Sequence, residues 1–148
     1  MLNDADAAGL AEMKYGSGRH LKGATLLLTI GTGIGSALFI DHNLVPNTEL
    51  GHLIIEGQEA EDMASGRTRQ VQGWSYLEWV ERLNRVLAEY EKLIWPDNII
   101  IGGGISSAFH DYKDQIKTRA TCLPASFQNG AGIVGAALWS SLQESAHV

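Results

Sequence analysis

Ala24-Thr25-Leu26-Leu27-Leu28-Thr29-Ile30-Gly31-Thr32-Gly33-Ile34-Gly35-Ser36-Ala37-Leu38-Phe39-Ile40-Asp41 is the stretch on which the reading of this chain turns. Its first seven residues form an unbroken apolar run of strand length, the pattern of a strand buried on both faces. Gly31, Gly33 and Gly35 then interrupt it, and residues 36–41 resume as a second strand. Asp41-His42-Asn43 turns the chain into a short third strand ending at Pro46.

Working outward, a second buried strand is expected over residues 98–101, running into Gly102-Gly103-Gly104. Before it, Ser75 and Glu78 make a capping box that opens a helix over residues 76–93. Leu77, Val80, Leu83, Leu87, Tyr90 and Ile94 keep helical spacing, so this helix should lay one face on the sheet. Residues 4–13, rich in Ala, Leu and Glu, predict a first helix with Asn3 or Asp4 as N-cap. Residues 56–72 are polar with no clear period and read as a loop with at most one helical turn. Further helices are expected near residues 107–117 and 131–142. A strand meander followed by helix–strand–helix describes an α/β layered domain.

Composition narrows the classes. The 148 residues suit one domain, and 45% hydrophobic content excludes a disordered chain. No apolar run approaches the length of a membrane span, and the acidic opening Met1-Leu2-Asn3-Asp4-Ala5-Asp6 does not read as a leader peptide. The single cysteine, Cys122, leaves no internal disulfide and no cysteine-based zinc cage. A cytoplasmic location is the expectation. The net charge of −6 argues against general binding to nucleic acid.

The glycines and acids carry the candidate chemistry. Gly31, Thr32, Gly33 and Gly35 offer close backbone approach and a hydroxyl donor to a phosphate. The same residues also suit a plain hairpin with bulges. The absence of a following Gly-Lys-Ser/Thr excludes a P-loop. Gly102, Gly103 and Gly104 lie at the carboxyl end of a strand, where ligands tend to sit in α/β sheets, or else form a tight turn. Asn3, Asp4 and Glu49 are the amide and carboxylates a sugar site needs, because each hydroxyl both donates and accepts, or else caps and solvated side chains. His52 alone suits a satisfied half-buried histidine or a metal ligand equally. Phosphoryl transfer needs a carboxylate to take the attacking hydroxyl's proton. Lys14, Arg19, Lys22, Arg67 and Arg69 are the candidates for a basic track. No metal site is expected, with one cysteine and no second histidine near His52.

Taken together, residues 3–12, residues 28–38, Val45-Pro46-Asn47-Thr48-Glu49-Leu50-Gly51-His52, residues 101–106 and residues 131–137 resemble the ROK sugar kinases, and within them the polyphosphate glucokinases. The resemblance implies an actin-like ATPase (ribonuclease H-like) fold, a mixed sheet flanked by helices. It implies phosphorylation of glucose at its 6-hydroxyl from polyphosphate, ATP or both. By the same resemblance Asp4 is the catalytic base, and Asn3, Glu49, His52 and, more loosely, Glu61 hold sugar hydroxyls. Gly31 to Gly35 and Gly102 to Gly104 then belong to the phosphate site. Mg²⁺ is expected with the donor, and no structural zinc, since residues 56–65 lack the cysteines that many family members carry there. The resemblance places residues 1–148 as the C-terminal lobe, with the N-terminal lobe and its first phosphate loop absent from it. Expected partners are glucose, the phosphoryl donor, and a second copy or a complementing N-terminal lobe, without nucleic acid or membrane. Two other readings are a sugar-binding regulator of the same family and a non-catalytic remnant that only oligomerises.

Overall fold

The computed structural model describes residues 2–127. The helix expected over residues 131–142 lies outside them. The chain begins with α1 (Asp4–Tyr15), continues through β1 (Ala24–Ile30), β2 (Ile34–Ile40) and β3 (Asn43–Val45), and then makes a hairpin of β4 (Ile54–Ile55) and β5 (Gln58–Glu59). Three helices follow, α2 (Ala60–Ala64), α3 (Gly66–Gln72) and α4 (Tyr76–Ile94). β6 (Asn98–Gly102), α5 (Phe109–Tyr112) and β7 (Thr121–Pro124) complete the described chain.

One mixed sheet organises it, in the order β3-β2-β1-β6-β7. β1 pairs antiparallel with β2 and parallel with β6, and β6 pairs parallel with β7. The continuous apolar character of β1 and β6 has a direct cause, since both sheet faces are covered. Leu27, Ala37, Phe39 and Ile100 pack with Met13 of α1 on one face. Leu26, Leu28, Ile30, Ile99 and Ile101 join Trp79, Leu83, Leu87 and Tyr90 of α4 on the other. Gly9 lets α1 lie close, because a β-carbon there would come within 2.6 Å of the Phe39 ring. Among the described residues no helix is long and apolar enough to cross a membrane.

The capping box of α4 forms as read, with the Ser75 hydroxyl accepting from Glu78 N–H and the Glu78 carboxylate from Ser75 N–H. Four expectations need correction. Residues 56–72 are not a loop: they hold β5, α2 and α3. The helix expected near residues 107–117 is broken into 3₁₀ turns on either side of the single turn α5. Leu77, counted on the buried face of α4, is 56% exposed, and Trp79 and Val86 take core places instead. Finally, Ile34 and Gly35 already belong to β2, paired with Ile30 and Thr29, so the glycine turn itself is only Gly31-Thr32-Gly33.

Candidate active site

Glu49 and His52 come from a segment that the sheet holds rigidly. Leu50–His52 is a 3₁₀ turn. The buried Ser36 hydroxyl, on β2, donates to the Thr48 carbonyl at 3.1 Å and accepts from Leu50 N–H at 3.2 Å. Thr48 Oγ1 donates in return to the Ser36 carbonyl at 3.0 Å. From the opposite side the Tyr90 hydroxyl donates to the Leu50 carbonyl at 2.7 Å. Burial, helped by Glu61, pushes the Tyr90 phenol well above its ordinary range, so it acts as a neutral donor. Gly51 is required here, because a β-carbon would run into the Ile34 carbonyl.

Glu61, in the first turn of α2, reaches the same place. Its Oε2 accepts from Ile34 N–H at 3.1 Å, and its Oε1 is 3.7 Å from His52 Nδ1. Gly33 leaves that carboxylate its space, since a side chain there would meet Glu61 Oε2. Glu59 Oε1 lies 3.3 Å from His52 Nδ1, and Glu49 Oε2 lies 3.9 Å from Nε2. The result is a cleft of about 310 Å³ lined by Thr29, Gly31, Thr32, Gly33, Ile34, Gly35, Glu49, His52, Glu61 and Gly103. Residues far apart in sequence, picked out for two different chemistries, thus share one wall.

The amino end of α1 lies beside Gly35, but neither Asn3 nor Asp4 lines this cleft or the cavity beyond the glycine turn. Asn3 is the N-cap, its Oδ1 accepting from Asp6 N–H at 2.7 Å, so one of its polar atoms is already committed to the helix. Asp4 is exposed in the first turn. Ala5 sits beside Gly35, whose added β-carbon would come within 3.1 Å of the Ala5 methyl. Asp6, which drew no attention in the sequence, is fully buried, with Oδ2 accepting from Asn47 N–H at 3.3 Å and Oδ1 without a partner. Burial first, and then Glu49, push its carboxyl above the ordinary value, against the pull of the Asn47 bond.

A second cavity of about 300 Å³ opens on the far side of the glycine turn, lined by Ile30, Gly31, Thr32, Gly66, Arg67, Arg69, Gln70, Tyr76, Gly104 and Ile105. Arg67 N–H donates to the Gly31 carbonyl at 3.0 Å, which ties α3 to the turn. The Arg69 guanidinium stacks over the Tyr76 ring at 4.2 Å and donates to the Trp74 carbonyl at 2.9 Å, while its buried Nε has no partner. Lys14, Arg19 and Lys22 line neither cavity. Gly103, at φ +83°, sits against the backbone of Ile30, and its carbonyl accepts from Ser106 N–H and Oγ. Gly102 is buried as the last residue of β6 and lines neither cavity.

The chain as a whole has counterparts among known proteins. No family model matches the chain. Polyphosphate glucokinase of Mycobacterium tuberculosis is 47% identical over 147 residues, covering 99% of this chain and 55% of the relative. The crystal structure of the inorganic polyphosphate/ATP-glucomannokinase of Arthrobacter sp. strain KM superposes with a TM-score of 0.92 at 48% identity, over 96% of this chain and 56% of that one. Over nearly its whole length the chain is similar to these two sugar kinases. It spans about half the length of these relatives. A ROK family glucokinase from Streptomyces griseus, solved with glucose and AMPPNP, shares the fold at 21% identity and a TM-score of 0.78. The fold of this chain is therefore the actin-like ATPase fold of the ROK kinase structures.

One group of side chains in this domain has the density of a cation site. His52, Glu59 and Glu61 each offer a ligand atom within 4.8 Å of the others. An imidazole among them does not make the all-oxygen set that Mg²⁺ prefers. One Glu61 oxygen is also already engaged by Ile34 N–H. Mg²⁺ is more usually bound through one or two carboxylates together with phosphate oxygens and water.

Proposed function

We propose that residues 1–148 form the acceptor lobe of a glucokinase that moves a phosphoryl group from polyphosphate or ATP to the 6-hydroxyl of glucose. The observation that carries this reading is the shared cleft, lined both by Glu49, His52 and Glu61 and by the turn Gly31-Thr32-Gly33. Carboxylates and an imidazole supply acceptors for the hydroxyls of a sugar ring. Asn3 adds its amide N–H groups, since its oxygen caps α1. Asp4, exposed at the amino end of α1, takes the proton as the 6-oxygen bonds to phosphorus and the donor's bridging P–O bond breaks.

The donor sits in the second cavity in this reading, against Gly31, Thr32 and Gly104, with Arg67 and Arg69 neutralising its charge. Gly103 gives that wall its sharp turn. Mg²⁺, when bound with the donor, adds further charge neutralisation on the phosphates.

Calorimetric titration of glucose into residues 1–148 tests the acceptor half of the proposal, and saturable binding is expected. Catalysis of phosphoryl transfer is mostly positioning, and the relatives use about twice this length of chain. Slow transfer by residues 1–148 alone is therefore expected in a glucose-6-phosphate assay. In a protein joining them to a relative's remaining lobe, Asp4→Asn should lower turnover by about 10²–10⁴-fold. Near-normal turnover in that variant, or no glucose binding by the chain, overturns the reading.

A further inference from the structure

His52 can serve a sugar hydroxyl well only if its ring is held and its single neutral-state proton is placed. The structure supplies both through a residue outside the assigned set. Nδ1 meets Glu59 Oε1 at 3.3 Å, within hydrogen-bond reach, while Glu61 Oε1 stands off at 3.7 Å. Glu61 is also committed elsewhere, through Oε2 to Ile34 N–H. A carboxylate can only accept, so the proton of a neutral imidazole paired with Glu59 resides on Nδ1. That leaves Nε2, on the Glu49 side, as an acceptor.

The backbone is built to deliver Glu59 to this spot. β4 and β5 are joined by two residues, Glu56 at φ +52° and Gly57 at φ +83°, the left-handed pair of a type I′ hairpin turn. A turn of that length fixes register, pairing Glu59 opposite Ile54. Directly after it, Ala60 N–H donates to the Leu53 carbonyl at 2.9 Å, so the backbone is pinned immediately after Glu59. The hairpin thus brings the chain back over His52, which the loop expected there would not do. The pair is exposed, at 58% for His52 and 39% for Glu59, so it adds little to stability and acts mainly through orientation.

We propose that Glu59 is a positioning residue that holds His52 in its Nδ1–H tautomer, so that Nε2 accepts a hydrogen bond from a sugar hydroxyl. The second half of this rests on the glucose reading above; the tautomer does not. Two measurements on the full 148-residue chain separate them. Long-range ¹H–¹⁵N spectra of the histidine rings at pH 8, with His52 assigned through His52→Gln, should show Nδ1 protonated and Nε2 bare. Glu59→Ala should shift His52 toward the Nε2–H form, and Glu59→Gln, which keeps an acceptor oxygen, should restore Nδ1–H.

Glucose affinity should weaken about tenfold in Glu59→Ala and less in Glu59→Gln, with the unliganded melting temperature nearly unchanged in both. An Nε2–H tautomer in the parent chain overturns the proposal. So does a Glu59→Ala spectrum identical to the parent's, or a chelator-sensitive His52 signal, which would put a metal where the proton is assigned. If the parent chain does not bind glucose, the function reading fails while the spectra still decide the role of Glu59.

Discussion

At the two ends of α1 the protein buries a carboxylate, and it treats the two in opposite ways. Glu12 is 1% exposed and accepts from Ser17 N–H at 2.9 Å, Ser126 N–H at 3.0 Å and Phe127 N–H at 2.7 Å. Asp6 is 0% exposed and accepts from Asn47 N–H alone, at 3.3 Å, with one oxygen orphaned. Desolvation penalises a buried charge unless hydrogen bonds replace the lost water. Glu12 is compensated and Asp6 is not. The end of the helix remote from the cleft is built for stability. The end beside the cleft, next to Asp4 and the segment carrying Glu49, keeps an under-satisfied acid, as functional sites often do.

The largest expected effect breaks the well-satisfied end. Glu12→Ala strands three backbone N–H groups and should cost about 3 kcal/mol or more in urea unfolding. Glu12→Gln keeps one acceptor oxygen and should lose roughly half as much. If Glu12→Ala costs no more than a surface change, the contrast is void.

The next effect falls on the backbone at the cleft. Gly103→Ala places a β-carbon 2.6 Å from the Ile30 carbonyl oxygen and 2.7 Å from its nitrogen, at a left-handed φ. A loss of about 2 kcal/mol is expected by the same measurement. Unchanged stability would show that this wall has more slack than its contacts indicate.

The smallest effect is at Asp6, where Asp6→Asn keeps the acceptor for Asn47 and removes a poorly paired charge. It should change stability at neutral pH by less than about 1 kcal/mol, in the favourable direction. The pH dependence gives the sign. Because the folded carboxyl titrates above its ordinary 3.8, its contribution is full below pH 3.8 and is lost as the pH climbs through the raised value. The variant's advantage should therefore be absent near pH 3, grow with pH, and level off once Asp6 is ionised. An advantage that shrinks as pH rises would place Asp6 among the satisfied acids with Glu12.

Much of this layout was legible in the chain itself. β1, β6, the cap at Asn3 and the capping box of α4 are local patterns whose physical causes operate within a few residues. The hairpin and helices of residues 56–72 left no such trace, because β4 and β5 are two residues each and too short to show a period. β7 was hidden for another reason. It is a partly exposed edge strand ending in Pro124, a residue that counts against strand character. At the cleft, Glu49 and His52 stand out in the sequence by residue type, whereas their supports do not. Ser36, Thr48 and Tyr90 hold the Glu49 segment through contacts between distant elements, and no spacing announces them. Asp6 differs from an ordinary first-turn acid only by burial.

The Glu12 clamp also orders events in time. Its bonds to Ser126 and Phe127 close a loop of 114 and 115 residues. Closure of so long a loop carries an entropic penalty that is recovered only once the intervening sheet has formed. These bonds are therefore expected to form late, after the folding barrier is crossed. In stopped-flow chevrons Glu12→Ala should accelerate unfolding and leave the refolding arm almost where it was. The clamp acts as a latch: it sets how long the folded chain lasts, and hardly how fast it forms.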